Sequence, residues 1–280
     1  MPHTGTFSGH CKLIVTDIDF TFVGADKALI GRNLQALEAI KRAGIPCAIA
    51  TGRYWHGIKE LVAKLGLTTP QILDNGATLI DPSDEKIILT HPIPAEVARL
   101  FYDSFKEDGL CPVVGMPMGY YSEIPDGTTV AIMKVHHEYP IPLSENELRK
   151  LFGEAVKMAL YVDENHIPML RAGVERAHNA AKAANYPVGG FFTEAGIYTL
   201  NADGVDKLGG IRDLCNVVGC TLEDVLAIGD GDNDAGMLRA CGYGCAVANA
   251  TPAAKEAASC IVASCENAGF AEAVEAVLQL

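Results

Sequence analysis

Short apolar runs alternate with helical stretches over the first eighty residues, and this alternation constrains the fold more than any other feature. The runs at residues 13–15, 46–50 and 71–73 predict buried strands. The two stretches between them carry apolar residues at helical spacing and close on Gly44 and Gly66, as expected at helix C-termini. A β-α-β-α-β order of this kind is typical of a parallel sheet with right-handed crossovers. We therefore predict an α/β fold with a doubly wound, Rossmann-like parallel sheet.

The alternation breaks after Asn75-Gly76 and returns in the last quarter of the chain. Between these points, residues 95–106 and 145–158 read as helices among strand-like runs and scattered prolines and glycines. We predict a core domain made of residues 1–82 and 197–280. An α+β domain of residues 83–196 is inserted into it.

The composition excludes several classes of protein. The 280 residues are 49% hydrophobic, and the 22 Lys and Arg against 35 Asp and Glu give a formal charge of −13. So acidic a chain is a poor general binder of nucleic acid or of anionic membranes. The sequence has no apolar run long enough for a membrane span, no apolar signal segment at its start and no C-x-x-C pair among its nine cysteines. We expect a cytoplasmic protein with neither a nucleic-acid nor a membrane partner.

Polar clusters follow the predicted strands at the edge where open parallel sheets bind ligands. They are the DIDFT run at 17–21, the TGR run at 51–53 and the GDGDND run at 229–234, with Lys207 ahead of the helix before the last of these. Each one alone has a structural alternative, because Thr51 could be a plain helix N-cap and Lys207 a solvated helix residue. All of them at one sheet edge point to a shared site.

These clusters resemble the four motifs of the haloacid dehalogenase-like (HAD) phosphatase superfamily. LIVTDIDFT at 13–21 resembles hhhhDxDxT, and Thr51 ends the second strand as the second motif requires. Gly204-Val205-Asp206-Lys207 resembles G-x-x-K, and residues 229–234 resemble GDxxND. The insertion after the third strand is similar to the type C2B cap of the Cof-like subgroup. The resemblance implies a phosphatase whose cap sets substrate specificity.

The resemblance also implies how catalysis proceeds. Asp17 would be the nucleophile that forms an aspartyl-phosphate, and Asp19 would be the general acid and base. Close carboxylates repel each other and an anionic ester unless a cation lies between them. Mg²⁺ would be held by Asp17, by Asp19 through its backbone carbonyl, and by Asp230, a set of hard oxygen ligands that suits this ion.

Further motif positions would hold the substrate or support the site. The implied substrate-binding residues are Thr51, Gly52, Lys207 and Asn233. The implied supporting residues are Thr21, Arg53 and Asp234.

The predicted function is a Mg²⁺-dependent phosphatase acting on a small phosphorylated metabolite, most simply a sugar phosphate. A phosphotransferase or phosphomutase with the same nucleophile is an alternative enzyme class, and only its products would separate the two. A receiver-like phospho-acceptor module is a non-enzymatic alternative. The acid at Asp19, next to the nucleophile, and the inserted domain both disfavour it.

Phe20 departs from the family pattern, which has glycine at this position. Its ring could narrow access to the site, or it could pack into the core beneath the loop. Thermal melting and a substrate screen of a Phe20→Gly variant would separate the two hypotheses.

Overall fold

The structure is a computed structural model that describes residues 11–24, 28–123, 139–194 and 196–278. The chain forms two compact units. The first comprises Met1–Gly52, Leu61–Ile88 and Asp206–Leu280, and the second comprises Arg53–Glu60 and Leu89–Val205. In the described part of the chain, no helix combines the length and the apolar character that crossing a membrane requires.

The first unit is built on a five-stranded parallel sheet. Its strands are β1 (Leu13–Thr16), β2 (Cys47–Ile49), β12 (Val225–Gly229), β13 (Tyr243–Val247) and β14 (Cys260–Val262). Their order is β14-β13-β12-β1-β2, so the first strand of the chain lies in the interior of the sheet. β1 and β12 are buried along their whole length, in agreement with their continuous apolar sequences. The predicted α/β class is confirmed.

Helices connect these strands where the helical spacing predicts them. They are α1 (Gly31–Arg42), α2 (Trp55–Leu65), α6 (Lys207–Val218), α7 (Ala235–Ala240), α8 (Pro252–Ala257) and α9 (Gly269–Leu278). Gly44 and Gly66 follow α1 and α2 with φ values of +69° and +59°, which glycine adopts without strain. α8 begins with Pro252, and the residue before it, Thr251, is the N-cap, whose hydroxyl accepts from the Ala254 N–H.

A small antiparallel sheet follows β2. It contains β3 (Gln71–Leu73), β4 (Thr78–Asp81) and β5 (Lys86–Thr90), and a parallel bridge between Ala50 and Ile72 joins β3 to the end of β2. The third predicted strand, β3, therefore lies parallel to the end of β2 through this one bridge. On its other side β3 pairs antiparallel with β4.

The second unit contains a six-stranded mixed sheet of order β10-β11-β9-β6-β7-β8. The strands are β6 (Val113–Met116), β7 (Gly119–Ser122), β8 (Ile141–Pro142), β9 (Lys157–Tyr161), β10 (Gly189–Glu194) and β11 (Ile197–Asn201). Its helices are α3 (Ala95–Glu107), α4 (Glu145–Lys150) and α5 (Ile167–Ala183). Apolar side chains of α3 and α5, Phe101 and Leu170 among them, form one core with the sheet.

The structure corrects one predicted helix. The predicted helix at 145–158 ends at Lys150, and the buried run that follows becomes β9, a strand with neighbours on both sides. The compact units change at 88/89 and at 205/206, each to the C-terminal side of the predicted boundaries at 82/83 and 196/197. β5 pairs with β4 of the first unit, whereas β11 pairs with β9 and β10 of the second.

Candidate active site

Asp17 and Thr51 lie where two neighbouring strands of the first unit end. The Asp17 N–H donates to the carbonyl of Ile228 at 2.9 Å, and the Ala50 N–H donates to the carbonyl of Thr16 at 2.9 Å. The backbone hydrogen bonds of the parallel sheet therefore extend to Asp17 and to Ala50, the residue before Thr51. Asp17 is 7% exposed and Thr51 is 2% exposed. The carboxyl edge of the sheet thus presents a carboxylate and a hydroxyl side by side in a protected place.

Lys207 is the first residue of α6 and is almost fully buried, at 2% exposure. Its Nζ donates to Oδ1 of Asp17 and to Oδ1 of Asp234, each at 2.7 Å. A solvated helix lysine is excluded by this burial. Burial alone would lower the pKa of Lys207, but the two carboxylates raise it above its ordinary value, so the side chain is an ammonium ion. Removing one member of a buried ion pair costs about 3–5 kcal/mol, which makes Lys207 structurally important as well.

Asp234 uses both carboxylate oxygens within the protein. One accepts from Lys207, and Oδ2 accepts from the backbone N–H groups of Asp230 and Gly231, each at 2.9 Å. These contacts fix the 230–234 loop and the Lys207 ammonium together. The role that fits Asp234 is therefore orienting Lys207.

The carboxylates of Asp17, Asp230 and Asp234 approach one another closely, with one oxygen of each within 4.8 Å of the others. Burial raises the pKa of Asp17 well above its usual range, and the charges of Asp234, Asp230 and Asp19 add to this effect while Lys207 opposes it. Burial likewise raises the pKa of Asp230 to about 6. The hydrogen bond that Thr21 Oγ1 donates to Asp230 at 2.7 Å has the opposite effect and lowers this pKa. The site gathers more negative charge than one ammonium offsets.

The donor set fits a divalent cation. Asp17 and Asp230 each keep a carboxylate oxygen outside the hydrogen bonds described above, and carboxylate and carbonyl oxygens are the ligands that Mg²⁺ takes. A cation between them would offset the carboxylate charges, which add to the effect of burial on both pKa values. Asp17 and Asp230, with the backbone carbonyl of Asp19, are the residues that would hold it.

A turn after β13 holds the two acidic loops in place, and the sequence analysis missed this contribution. Nδ2 of Asn249 donates to the carbonyl of Phe20 at 2.8 Å. Thr251 donates from its N–H to the carbonyl of Asp230 at 2.8 Å and from its hydroxyl to Oδ1 of Asp232 at 2.6 Å. The sequence marks Thr251 only as a helix N-cap, and nothing in its local pattern reveals the second contact.

The remaining predicted residues fall in different places. Two backbone hydrogen bonds fix Thr51. Its N–H donates to the carbonyl of Ile72 at 3.0 Å, and its carbonyl accepts from the N–H of Asn75 at 2.9 Å. Asn233 lies in the 230–234 loop, with its amide toward Asn75. Arg53 belongs to a stretch that groups with the second unit, where its guanidinium donates to the carbonyl of Gly57 at 3.4 Å. A supporting role for Arg53 stays a prediction.

Phe20 is not a core residue. Its side chain is 46% exposed, and its φ of +57° is unfavourable for a residue with a β-carbon. Phe22, two residues later, is 2% exposed and packs edge-on against Phe270 at 4.8 Å between ring centroids. The core-packing hypothesis for Phe20 is therefore wrong.

The first unit is thus an α/β domain with an acidic, lysine-anchored site at the carboxyl edge of its sheet, and the site is suited to a divalent cation. A family model for haloacid dehalogenase-like hydrolases matches residues 14–274. The chain belongs to this family, which confirms the resemblance drawn from the four motifs.

Individual relatives cover nearly the whole chain. The phosphoglycolate phosphatase of Pyrobaculum neutrophilum is 40% identical over 270 residues, which span 96% of each protein. A 5-amino-6-(5-phospho-D-ribitylamino)uracil phosphatase of Bacillus subtilis is 25% identical over 92% of this chain and 94% of its own. The crystal structure of a HAD/COF-like hydrolase from Plasmodium vivax has the same fold, with a TM-score of 0.83, 24% identity and 97% of each chain covered.

Proposed function

We propose that this protein is a Mg²⁺-dependent phosphatase that hydrolyses small phosphorylated metabolites through an aspartyl-phosphate on Asp17. The observation that carries the proposal is the buried contact of Lys207 with Asp17 at 2.7 Å, with the Asp230 carboxylate close by. By donating to one carboxylate oxygen of Asp17, the Lys207 ammonium fixes the orientation of the carboxylate. The charge of the ammonium also favours an incoming phosphoryl group.

The residues of the chain divide the reaction between them. A carboxylate oxygen of Asp17 attacks phosphorus, and the bond from phosphorus to the ester oxygen breaks. Asp19 gives a proton to the departing alkoxide and then takes one from a water molecule whose oxygen attacks phosphorus. The bond from phosphorus to the Asp17 oxygen breaks, which releases inorganic phosphate and restores the carboxylate. Thr51, Asn233 and Lys207 hold the phosphoryl oxygens. Mg²⁺ supplies charge neutralisation and alignment when bound.

The names of relatives support this substrate class. The names of two relatives specify a two-carbon phosphorylated acid and a phosphorylated ribityl compound. Both are small phosphate monoesters, and this class includes the sugar phosphates expected from the sequence. Phosphoglycolate and sugar monophosphates are therefore the first compounds to test.

The test is a turnover screen with these esters, with and without Mg²⁺. We expect release of inorganic phosphate that depends on the metal, with phosphoglycolate or a sugar monophosphate the best substrate. A bisphosphate or an isomerised sugar formed without free phosphate would assign the chain to phosphotransferases instead. No consumption of any ester in the presence of Mg²⁺ would overturn the proposal.

Phe20→Gly is expected to widen the range of esters accepted. The exposed ring follows the acid/base residue Asp19 directly, and removing it frees space for bulkier leaving groups. The change should alter KM more than kcat for small esters. Because glycine accepts a left-handed φ without strain, stability should hold or rise by up to about 1 kcal/mol.

Thermal melting and the substrate screen, run on the same preparation, check both parts of this expectation. Phe22→Ala is the matched control, since loss of that buried ring should cost about 3–5 kcal/mol. A large drop in melting temperature for Phe20→Gly with an unchanged substrate profile would contradict the access hypothesis.

A further inference from the structure

The turn between β3 and β4 has an unusual backbone. Asp74, Asn75 and Gly76 follow one another with φ values of +51°, +59° and +100°. Only glycine adopts this region freely, although asparagine and aspartate tolerate it better than other residues. Such segments persist where surrounding contacts determine them, and they concentrate at functional sites.

Contacts to two parts of the active site hold this turn. The Asn75 N–H donates to the carbonyl of Thr51 at 2.9 Å. On the other side Gly76 lies against the start of α6, where a β-carbon would come within 2.0 Å of the Asp206 carbonyl oxygen. Gly76 is therefore required for the backbone to pass this close to the residue before Lys207. The turn is fixed between the second and third motifs.

The side chain of Asn75 reaches a third part of the site. Asn75 is 2% exposed, and its Oδ1 accepts a long hydrogen bond from Nδ2 of Asn233 at 3.5 Å. The same oxygen lies 2.9 Å from the position that a β-carbon on Gly52 would occupy. The carboxamide thus lies between two residues for which substrate binding is proposed.

We infer that Asn75 is a positioning residue, which fixes Asn233 and the Thr51-Gly52 backbone for the phosphoryl group. The inference rests on the proposed function. A primary amide carries two donor hydrogens. With one of them directed at Asn75, the Asn233 amide is held in a single orientation, and its other hydrogen is available to a phosphoryl oxygen. The absence of a β-carbon at Gly52 leaves the space that the Asn75 carboxamide occupies.

The competing explanation is that asparagine is present only because it tolerates a left-handed backbone. Asn75→Gly separates the two, since glycine keeps this conformation without strain while the side chain with its carboxamide is removed. Asn185→Gly is a matched control. Asn185 has φ of +57° and is exposed in the second unit, so the same change is made at the same backbone conformation away from the site.

We expect Asn75→Gly to raise KM for the best ester by about tenfold, the effect of losing one orienting hydrogen bond, with a smaller change in kcat. The inhibition constant of inorganic phosphate should rise in parallel. Asn185→Gly should leave both constants unchanged. An unchanged KM and inhibition constant in Asn75→Gly, or a loss confined to kcat, would overturn the inference.

Gly52→Ala provides a second, independent measurement. In the wild-type background the new methyl group displaces the Asn75 carboxamide and should raise KM as Asn75→Gly does. In an Asn75→Gly background the displaced group is already gone, so the added effect should be small. Additive effects of the two changes would show that Gly52 and Asn75 act separately, against the inference.

Two further arms keep the result interpretable. If Asn75→Gly fails to fold, Asn75→Asp keeps a residue suited to the turn and places a negative charge beside Asn233. It should then raise the inhibition constant of phosphate, and no change would count against the inference. Wild-type protein that binds inorganic phosphate but hydrolyses no ester would refute the proposed function, while phosphate binding by the variants would still test Asn75.

Discussion

Asp17→Asn is expected to abolish phosphate release while leaving the fold intact. The amide has the shape of the carboxylate, and its oxygen can still accept the hydrogen bond that Lys207 donates to Asp17 at 2.7 Å. It has no anionic oxygen with which to attack phosphorus. Losing the covalent route should lower kcat by several orders of magnitude. An assay of phosphate release by the purified variant measures the loss of activity, and thermal melting measures whether the fold is intact.

Asp84→Asn is the control for this change. Asp84 is an exposed acid of the first unit, and its Oδ1 accepts from the Lys86 N–H, a contact that an asparagine oxygen also makes. Its activity and melting temperature should match those of the wild type. Near-normal turnover by Asp17→Asn with the best ester would refute the covalent mechanism.

Metal removal is expected to silence the enzyme, and Asp230→Ala should weaken the metal site. Without a cation, the carboxylates around Asp17 repel both one another and the ester. Chelation by EDTA should stop phosphate release, and added Mg²⁺ should restore it. Asp230→Ala should need far more Mg²⁺ for half-maximal activity. Full activity in EDTA would show that the carboxylate cluster has another purpose.

The pH dependence of metal binding follows from the raised pKa of Asp230, about 6 in the folded protein. Because this value lies above the ordinary 3.8, the protonated carboxyl favours the folded state at low pH. That contribution is lost as the pH rises through about 6, where the Asp230 carboxyl loses its proton in the metal-free protein. Mg²⁺ binds the ionised form. Its stabilising effect in thermal melting should therefore be large at about pH 8 and small at about pH 5.

Most of the first unit could be predicted from its sequence because its signals are local. A buried parallel strand such as β1 needs a continuous apolar run, and a helix end needs a glycine such as Gly44. The residues 145–158 show the limit of this reasoning. They contain apolar residues at spacings that fit a helix, yet the part from Lys157 is a strand because sheet partners on both sides outweigh the local preference.

The acidic site could be predicted for a related reason. Polar residues that follow buried strands must lie at one edge of a parallel sheet, so Asp17 and Asp230 come together by topology alone. Asn75 could not be recognised in this way. An asparagine followed by glycine is an ordinary turn signal, and its contacts with Thr51 and Asn233 depend on residues distant in the chain. The same holds for Asn249, whose partner Phe20 is 229 residues away.

The interior place of β1 has a consequence for how the chain matures during synthesis. β1 pairs with β2 on one side and with β12 on the other, and Asp17 lies 190 residues from the lysine that neutralises it. A nascent chain therefore carries an apolar strand with one open edge, and a charge without its counter-ion, until its last quarter leaves the ribosome. Open strand edges recruit other chains. We therefore expect the early segment to be prone to association with other chains until β12 is available to pair with it.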